Sequence, residues 1–349
     1  MHYNARSLQD YQEKYVSNMT TITEFLLLGF PDVFELQILQ FVMFLLIYLL
    51  ALIGNLLLIL VVTLNCHLHT PMYLLLANLS ILDICYISVT VPKAMDVSLT
   101  QVRSISFSGC MAQIFFGITF ASAEMVLLTI MAYDRYIAIC YPLRYHVIMG
   151  KMKCSIMVFG CWLGSIIYSA LHTLNAVLLP FCGPNTIQQL FCDIPQVLQL
   201  ACADTFGNKM TILICGIVFG LIFCSSVILS YIRIFVAVQN IPSSQGRYKA
   251  FSTCLPHLMV FSLFMITGLF TYLKKSSESS FKEILAALLY SIVSPVANPV
   301  IYSLRNKEIK KAIGRYLNKT NFMKGKPLTK KRGKEMRTNS PQPESAHES

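Results

Sequence analysis

Seven long apolar segments follow one another along the chain, and they constrain the fold more than any other feature. A helix that spans a bilayer needs about 20 mostly apolar residues, and each segment reaches that length. The segments cover residues 38–64, 72–97, 107–139, 155–179, 206–238, 253–273 and 284–304. Short polar connections, several with Pro or Gly, separate them. We therefore predict an all-α membrane protein, folded as a seven-transmembrane helix bundle.

The composition agrees with a polytopic membrane protein. Of the 349 residues, 55% are hydrophobic and only 13% are charged, whereas a soluble domain carries about 25% charged residues. Nowhere does the sequence gather His, Cys, Asp and Glu at the spacing of a metal site on one side of the membrane, so we expect no enzymatic activity. The internal repeats that transporters often show are also absent from the sequence.

The distribution of Lys and Arg predicts the orientation, because these residues concentrate on cytoplasmic flanks. The predicted loops after the third and fifth spans, and the chain after the seventh, carry most of them: Arg144, Lys151, Lys153, Arg233, Arg247, Lys249, Arg305, Lys310, Lys311 and Arg315. We predict a multi-pass protein of the plasma membrane with its amino terminus outside and its carboxyl terminus in the cytoplasm.

Four regions follow from this arrangement. Residues 1–37 form an extracellular segment that lacks the pattern of a cleavable signal peptide and carries a glycosylation sequon at Asn18. Residues 38–304 form the transmembrane domain. Residues 305–316 alternate basic and apolar side chains, which is typical of a short amphipathic eighth helix on the membrane surface. Residues 317–349 read as a disordered basic cytoplasmic tail, and the net charge of +11 suits anionic lipid better than nucleic acid.

Four of the twelve cysteines fall on the predicted outer side, where the environment is oxidising: Cys110, Cys182, Cys192 and Cys202. Four cysteines allow three pairings, and the residues alone do not choose between these pairings or exclude free thiols. A bond from Cys110 would pin the long loop of residues 180–205 over the mouth of the bundle.

Ionisable side chains within the spans are the most informative feature, because such groups are costly in a bilayer and usually functional. Asp83 and Glu124 lie in the second and third spans, and Asn298 lies at a similar depth. We interpret them as a shared polar centre that binds a proton or a cation, for which a sodium ion is the candidate. The alternative is two separate protonated acids. We expect no other cofactor.

Asp134 and Arg135 lie side by side at the predicted cytoplasmic end of the third span. The guanidinium is a permanent charge with a planar fork of donors, so it suits a switch between two partners. An interfacial pair that only extends toward water is the alternative. Pro295 and Pro299 weaken the seventh span near Tyr302, which predicts a hinge.

Several ordered motifs carry a family resemblance. Residues 131–140 read MAYDRYIAIC, 68–73 read LHTPMY, 79–83 read LSILD, 230–231 read SY, 249–254 read KAFSTC and 298–306 read NPVIYSLRN. Together they resemble the vertebrate odorant receptors of the rhodopsin-like G protein-coupled class, over roughly residues 20–316. Residues 24–30, EFLLLGF, are similar to the tetrapod-type branch. The chain departs from the family pattern at Pro256, at Met265 and Ile266, and at Ala297.

The resemblance implies roles for particular residues. Arg135 would hold the resting state and then swing to admit a G protein, supported by other members of a switch: Asp134, Tyr136, Tyr231, Asn298, Pro299 and Tyr302. Asp83, Glu124 and Asn298 would form the central polar site. The disulfide bonds would be Cys110–Cys192 and Cys182–Cys202.

The family's ligand pocket, carried over by position, has apolar walls with a few hydroxyl groups. It comprises Gly117, Ile118, Ala121, Ser122, Ile212, Cys215, Gly216, Phe219, Leu269, Tyr272, Leu288 and Ser291. Because these positions hold no charge, they favour a small, neutral, volatile ligand. Helix packing alone is the alternative for the small residues.

The resemblance therefore implies an odorant receptor that activates the stimulatory olfactory G protein and raises cyclic AMP. Two alternatives remain at this point. One is a rhodopsin-like receptor for a non-odorant ligand, and the other is a transporter or channel that uses Asp83 and Glu124 for ions.

Overall fold

The structure is a computed structural model that describes residues 23–27, 34–182, 185–202, 205–272, 280–306 and 308–315. For residues 34, 270–272, 280–287, 290 and 305 it describes the backbone only. Asn18 and the predicted tail 317–349 lie outside these ranges, so glycosylation and tail disorder stay predictions.

Eight helices in the described part of the chain form the body of the molecule. They are α1 (Phe34–Leu64), α2 (Pro71–Thr100), α3 (Phe107–Cys140), α4 (Lys151–Val177), α5 (Phe206–Gln239), α6 (Ser244–Tyr272), α7 (Ser280–Arg305) and α8 (308–315). The predicted spans lie within or close to α1–α7. The largest difference is at α6, which begins at Ser244 and so extends nine residues before the apolar stretch that predicted it.

The lengths of the helices confirm a membrane bundle. Within the described residues, α1–α6 are each long and apolar enough to cross a bilayer, and α7 contains the shorter apolar stretch Ser291–Leu304. The chain is a multi-pass membrane protein. Its outer surface is rich in exposed apolar side chains, as those along α5 illustrate.

The third helix lies at the centre of the bundle. It packs against α2, α4, α5 and α6, while α7 packs against α6, α1 and α2. Side-chain hydrogen bonds to backbone carbonyls join α4 to α3, from Ser169 Oγ to Phe115 O (2.5 Å) and from Cys161 Sγ to Ala123 O (3.3 Å). The central position of α3 means that groups on its different faces reach most of the other helices.

Close approach of α1 and α7 depends on a glycine and a proline. A Cβ atom at Gly54 would lie 3.1 Å from Pro299 Cγ, so the contact leaves little room for a side chain. Pro299 has no N–H to donate to the carbonyl of Pro295. Asn55 Nδ2 supplies the missing donor across the interface, at 2.8 Å from Pro295 O. The weakened turn of α7 is thereby held by α1.

A three-stranded sheet at one end of the bundle was not predicted. Its strands are β1 (Glu24–Leu27), β2 (Ser104–Ser106) and β3 (Thr186–Ile187), in the order β2-β1-β3. β1 pairs antiparallel with β2 and parallel with β3. This end also holds the disulfide bonds, and we call it the disulfide end.

The pattern of β1 explains why it stays in place. Phe25 and Leu27 are buried and their neighbours are exposed, which is the two-residue period of a strand with one face covered. The ring of Phe25 lies 6.0 Å from that of Phe107 and 5.8 Å from that of Phe181. The segment before the first helix is therefore built into the connections that follow α2 and α4.

The helix α8 begins one turn after α7 ends. Ile309 and Ala312 are fully buried, whereas Glu308, Lys310, Lys311 and Arg315 are exposed. This is the amphipathic pattern expected from the sequence. Its position on a membrane surface stays a prediction.

Candidate functional site

The polar centre lies between α2, α3 and α7, and Asn298 joins its two acids. The Asn298 amide nitrogen donates to both Asp83 oxygens, at 3.0 and 3.1 Å, and lies 3.3 Å from Glu124 Oε1. Asp83 is fully buried and Glu124 is 3% exposed. The structure thus places Asp83, Glu124 and Asn298 in one cluster. The sequence alone left open whether the two acids share a site.

Ser294 is a member of this centre that the sequence analysis missed. Its hydroxyl donates to Glu124 Oε1, and its oxygen lies 3.3 Å from Asn298 Nδ2. The spacing of four residues on α7 puts Ser294 and Asn298 on one helix face, and that spacing was the available signal. With Ser294, the centre presents two carboxylates and a hydroxyl to one small volume.

At the opposite end of the bundle, Arg135 is paired with its neighbour. Its Nε lies 3.0 Å from Asp134 Oδ2, and its Nη2 binds the same oxygen. The other oxygen, Asp134 Oδ1, accepts a hydrogen bond of 2.7 Å from Tyr145 Oη. Asp134 is 1% exposed, so both of its oxygens are satisfied within the protein. We call this the Arg135 end.

Tyr145 lies on the short helix Tyr145–Ile148, in the connection between α3 and α4. Burial and the neighbouring charge of Asp134 raise the pKa of the Tyr145 phenol above its usual value. The phenol therefore keeps its proton and remains a donor to Asp134.

Tyr231 of the predicted switch is bound elsewhere, to a residue that the sequence analysis left without a role. Tyr231 Oη lies 2.7 Å from His257 Nδ1, and His257 Nε2 lies 2.8 Å from Leu128 O. A backbone carbonyl can only accept, so Nε2 carries the proton and Nδ1 accepts from the tyrosine. His257 joins α3, α5 and α6. It follows Pro256, where the chain departs from the family motif, and that proximity was the available signal.

A small cavity of about 30 Å³ lies beside Arg135. Side chains from α2, α3, α6 and α7, and from Asn306 between α7 and α8, line it, among them Leu76, Arg135, Thr253, His257 and Tyr302. Tyr302 Oη is buried and has no hydrogen-bond partner in the described part of the chain. Arg135, Tyr231 and Tyr302 are therefore neighbours without direct bonds between them in this state.

Both disulfide bonds are formed, one between Cys110 and Cys192 and the other between Cys182 and Cys202. Gln113, one turn after Cys110, reinforces the first. Its Oε1 accepts from Cys192 N at 2.8 Å, and its Nε2 donates to Val89 O of α2 at 2.9 Å. The long connection after α4 is thus fixed to α2 and α3 over the end of the bundle.

The positions assigned to the ligand pocket divide into three groups. Ser122, Ile212, Leu288 and Ser291 are buried, and Gly117, Ile118, Ala121, Gly216 and Phe219 are partly buried. Cys215 and Leu269 are exposed and pack against none of the described buried clusters. The side chain of Tyr272 lies outside the described residues. The pocket therefore stays a prediction.

A family model described as olfactory receptor matches residues 44–320. The chain belongs to the olfactory receptor family. Olfactory receptor 14I1 of Homo sapiens is 48% identical over 309 residues, which are 88% of this chain and 99% of that relative. Olfactory receptor-like protein OLF4 of Canis lupus familiaris is 45% identical over 313 residues, 89% of this chain and 99% of that relative.

The fold of the receptor is also that of a solved protein. The crystal structure of squid rhodopsin aligns with a TM-score of 0.66 over 83% of this chain and 88% of that one, at 16% identity. This likeness confirms the predicted rhodopsin-like bundle and says nothing of the ligand. As a member of a family of G protein-coupled receptors, the receptor is not an enzyme.

One further polar side chain of the receptor is buried beside the predicted pocket. His172 on α4 is 8% exposed, so its imidazole is largely removed from solvent. Its ring lies 4.3 Å from that of Tyr168, which stacks on Phe219 at 4.4 Å. His172 therefore lies where α4 meets α5 beside the predicted pocket. The sequence analysis missed it because a lone histidine in an apolar span has no distinguishing pattern.

Proposed function

We propose that the receptor binds a small, neutral, volatile odorant inside the bundle and activates the stimulatory olfactory G protein, which raises cyclic AMP. The observation that carries the proposal is the closed state of Arg135, which is paired with Asp134 beside a cavity that four helices share. A permanent charge held by one partner, with others in reach, can serve as a two-state switch.

The proposal includes an orientation. The disulfide end faces the outside of the cell, because disulfide bonds persist in oxidising compartments. The Arg135 end then faces the cytoplasm, where the Lys and Arg residues of the connections and of α8 are expected. The plasma membrane is the location in which both a ligand from outside and a cytoplasmic G protein are accessible.

The energies involved are of the right order. Each hydrogen bond to a charged group is worth about 1.5–3 kcal/mol net, and Asp134 accepts such bonds from Arg135 and Tyr145. Moving a two-state equilibrium from 1:99 to 99:1 takes about 5.5 kcal/mol of differential binding. A small odorant supplies this through several apolar contacts and one or two hydrogen bonds that are better in the active state.

An exposed apolar residue next to the switch supports G protein docking. Leu143 follows α3 in the short turn Pro142–Arg144 and is 98% exposed. Val147, in the helix that carries Tyr145, is 70% exposed. When an apolar pocket of a partner covers a leucine that projects fully from a basic connection, the complex is stabilised. The same connection bears Tyr145, so docking there acts directly on Asp134.

The polar centre provides a second control point. Two carboxylates and the Ser294 hydroxyl are hard oxygen donors, which suit a hard cation such as sodium, and Asn298 already satisfies part of each acid. Asp83, Glu124 and Ser294 would hold the ion, and it would supply the positive charge that two buried acids lack. The test compares the melting temperature of the receptor in sodium chloride with that in choline chloride, and Glu124→Gln is the control. Equal melting temperatures in the two salts contradict a sodium site.

The odorant's polar group requires a partner in a largely apolar site, and we assign this role to His172. Its imidazole can donate or accept a hydrogen bond, which fits an aldehyde, ketone, ester or alcohol. Phe219 and Tyr168 form the apolar wall beside it. A neutral oxygen-bearing molecule is therefore the ligand class.

The decisive experiment screens diverse neutral odorants on cells that express the receptor, with a cyclic AMP readout and a surface label. Arg135→Ala should abolish the response and leave surface delivery largely intact. Arg315→Ala, which removes an exposed cation on α8, is the matched control and should retain the response. Unchanged signalling by Arg135→Ala contradicts the mechanism. Silence toward every odorant, with normal surface delivery, would favour a rhodopsin-like receptor for a non-odorant ligand.

A further inference from the structure

One side-chain oxygen connects α2, α7 and α8 at the Arg135 end. Asn306 follows the last residue of α7, and its Oδ1 lies 3.1 Å from Glu308 N and 3.2 Å from Ile309 N. It therefore caps the first turn of α8. The same oxygen lies 3.3 Å from the hydroxyl of Tyr73 on α2. The backbone continues this connection, because Asn306 N donates to Tyr302 O at 3.0 Å.

Apolar packing surrounds the hydrogen bond from Tyr73. Ile309 and Ala312 of α8 are fully buried, and they belong to the same apolar cluster as Tyr73, Leu58 and Val61. Tyr73 itself is 7% exposed. The first turn of α8 therefore lies against the ends of α1 and α2, and the Tyr73 hydroxyl is the polar contact within that surface.

The same residues border the switch. Asn306 lines the cavity beside Arg135, and so do Met72 and Leu76, which flank Tyr73 on α2. Tyr302, one turn before Asn306, lines it as well. A displacement of the end of α7 relative to α2 changes the shape of this cavity, and it also breaks the hydrogen bond between Tyr73 and Asn306.

We propose that the hydrogen bond from Tyr73 to Asn306 is a latch that holds α7 and α8 against α2 while Arg135 is paired with Asp134. Asn306 is a positioning residue: it acts on the switch by fixing the end of α7. The proposal rests on the proposed function, because its output in cells is activation of a G protein.

The hydrogen bond from Tyr73 can break while Asn306 continues to cap α8. When α7 moves away from α2, Asn306 loses Tyr73 but keeps Glu308 N and Ile309 N, so α8 moves together with α7. Removing the Tyr73 hydroxyl costs one hydrogen bond in the latched state and none in the open state. One ordinary hydrogen bond corresponds to a shift of about fivefold in the population of the open state.

The experiment compares four variants at equal surface density. Tyr73→Phe removes the latch and keeps the cap, and Asn306→Leu removes both. Asn306→Asp keeps an acceptor oxygen for the tyrosine and for the two amides. Tyr48→Phe is the matched control. The hydroxyl of Tyr48 forms a hydrogen bond to Ser88 Oγ at 3.1 Å, which joins α1 to α2 far from the Arg135 end.

We expect Tyr73→Phe and Asn306→Leu to raise ligand-independent cyclic AMP about fivefold, and Asn306→Asp and Tyr48→Phe to match the unmodified receptor. Purified receptor in lipid nanodiscs should show faster hydrogen–deuterium exchange across residues 302–312 in Tyr73→Phe. If Asn306→Leu fails to reach the surface, Tyr73→Phe still tests the latch.

If Tyr73→Phe shows the same basal cyclic AMP and the same hydrogen–deuterium exchange as the unmodified receptor, the proposal is overturned. An equal rise in Tyr48→Phe also overturns it, because the effect would then be general loosening of the bundle. Faster exchange in Tyr73→Phe, in a receptor that activates no G protein in any variant, supports the latch and contradicts the proposed function instead.

Discussion

The hydroxyl of Tyr145 lies 2.7 Å from Asp134 Oδ1 and donates a hydrogen bond to the acid that holds Arg135. Tyr145→Phe removes one hydrogen bond to Asp134 and so weakens the closed state, in which Asp134 is paired with Arg135. We expect ligand-independent cyclic AMP to rise at least about 10-fold at equal surface density, as the loss of one hydrogen bond to a charged group implies. Tyr248→Phe, at a position that is 75% exposed, serves as the control. A basal signal no higher than that of the control would contradict the role of Tyr145.

The exposed Leu143 predicts a coupling defect that spares delivery. Leu143→Asp places a charge where the docking partner would cover an apolar side chain, and we expect at least about a tenfold weaker coupling, since full burial of a leucine side chain is worth about 2 kcal/mol. Leu143→Met keeps the apolar character and should behave as the unmodified receptor. Cyclic AMP at saturating odorant, normalised to surface label, measures the effect. A normal response in Leu143→Asp removes this residue from the docking surface.

The bond between Cys110 and Cys192 should be needed for maturation. Cys192→Ser frees the connection that Gln113 also anchors, and removing a native disulfide typically costs about 2–5 kcal/mol. We expect surface expression to fall to a small fraction of normal in both Cys192→Ser and Cys110→Ser. The double variant should be no worse than either single one, because all three lack the same bond. Normal maturation of a single variant would show that the bond is dispensable.

The buried imidazole of His172 predicts a selective loss of potency. His172→Phe keeps an aromatic ring beside Tyr168 but removes both nitrogens. For a responsive carbonyl- or hydroxyl-bearing odorant we expect the half-maximal concentration to rise about fivefold, as the loss of one ordinary hydrogen bond implies. The hydrocarbon analogue of that odorant should change little. An equal change for both ligands would assign His172 to packing.

Burial raises the pKa of the Asp193 carboxyl, in the connection after Cys192, from 3.8 to about 6. The folded state therefore binds its proton more tightly than the unfolded state. This contribution to stability is complete below about pH 4 and is lost as the pH rises through 6. Asp193→Asn keeps the acceptor for Ile194 N and has no such dependence.

We expect the difference in melting temperature between Asp193→Asn and the unmodified receptor to grow from pH 4.5 to pH 7.5, in favour of the variant. Thermal unfolding in nanodiscs measures it. A difference that stays constant over this range would show that the acid titrates normally.

Much of the fold could be predicted because each spanning segment carries its own signal. A run of apolar residues such as 38–64 specifies a helix without reference to the rest of the chain. Asp83 and Glu124 could be singled out for a similar reason, since a charge within such a run is conspicuous. The all-α prediction missed the sheet, because β1 and β3 are four and two residues long. Strands this short are defined by their partners and leave no pattern of their own.

The parts of the site that escaped prediction share a cause. Ser294, His257, His172 and Asn306 are ordinary polar residues on or next to helices, and their roles arise from neighbours on other helices. For His257, the deciding groups are Tyr231 and the carbonyl of Leu128, which lie 26 and 129 positions away. Such contacts follow from the three-dimensional packing, which no local window of sequence contains.

The central place of β1 in its sheet has a consequence for biosynthesis. β1 is translated before α1, yet its partners Ser104–Ser106 and Thr186–Ile187 are translated after α2 and after α4. β1 therefore leaves the ribosome before either partner strand, and the sheet is complete only after four helices have been made. Until then the apolar face of β1, with Phe25 and Leu27, lacks the cover that the finished sheet gives it.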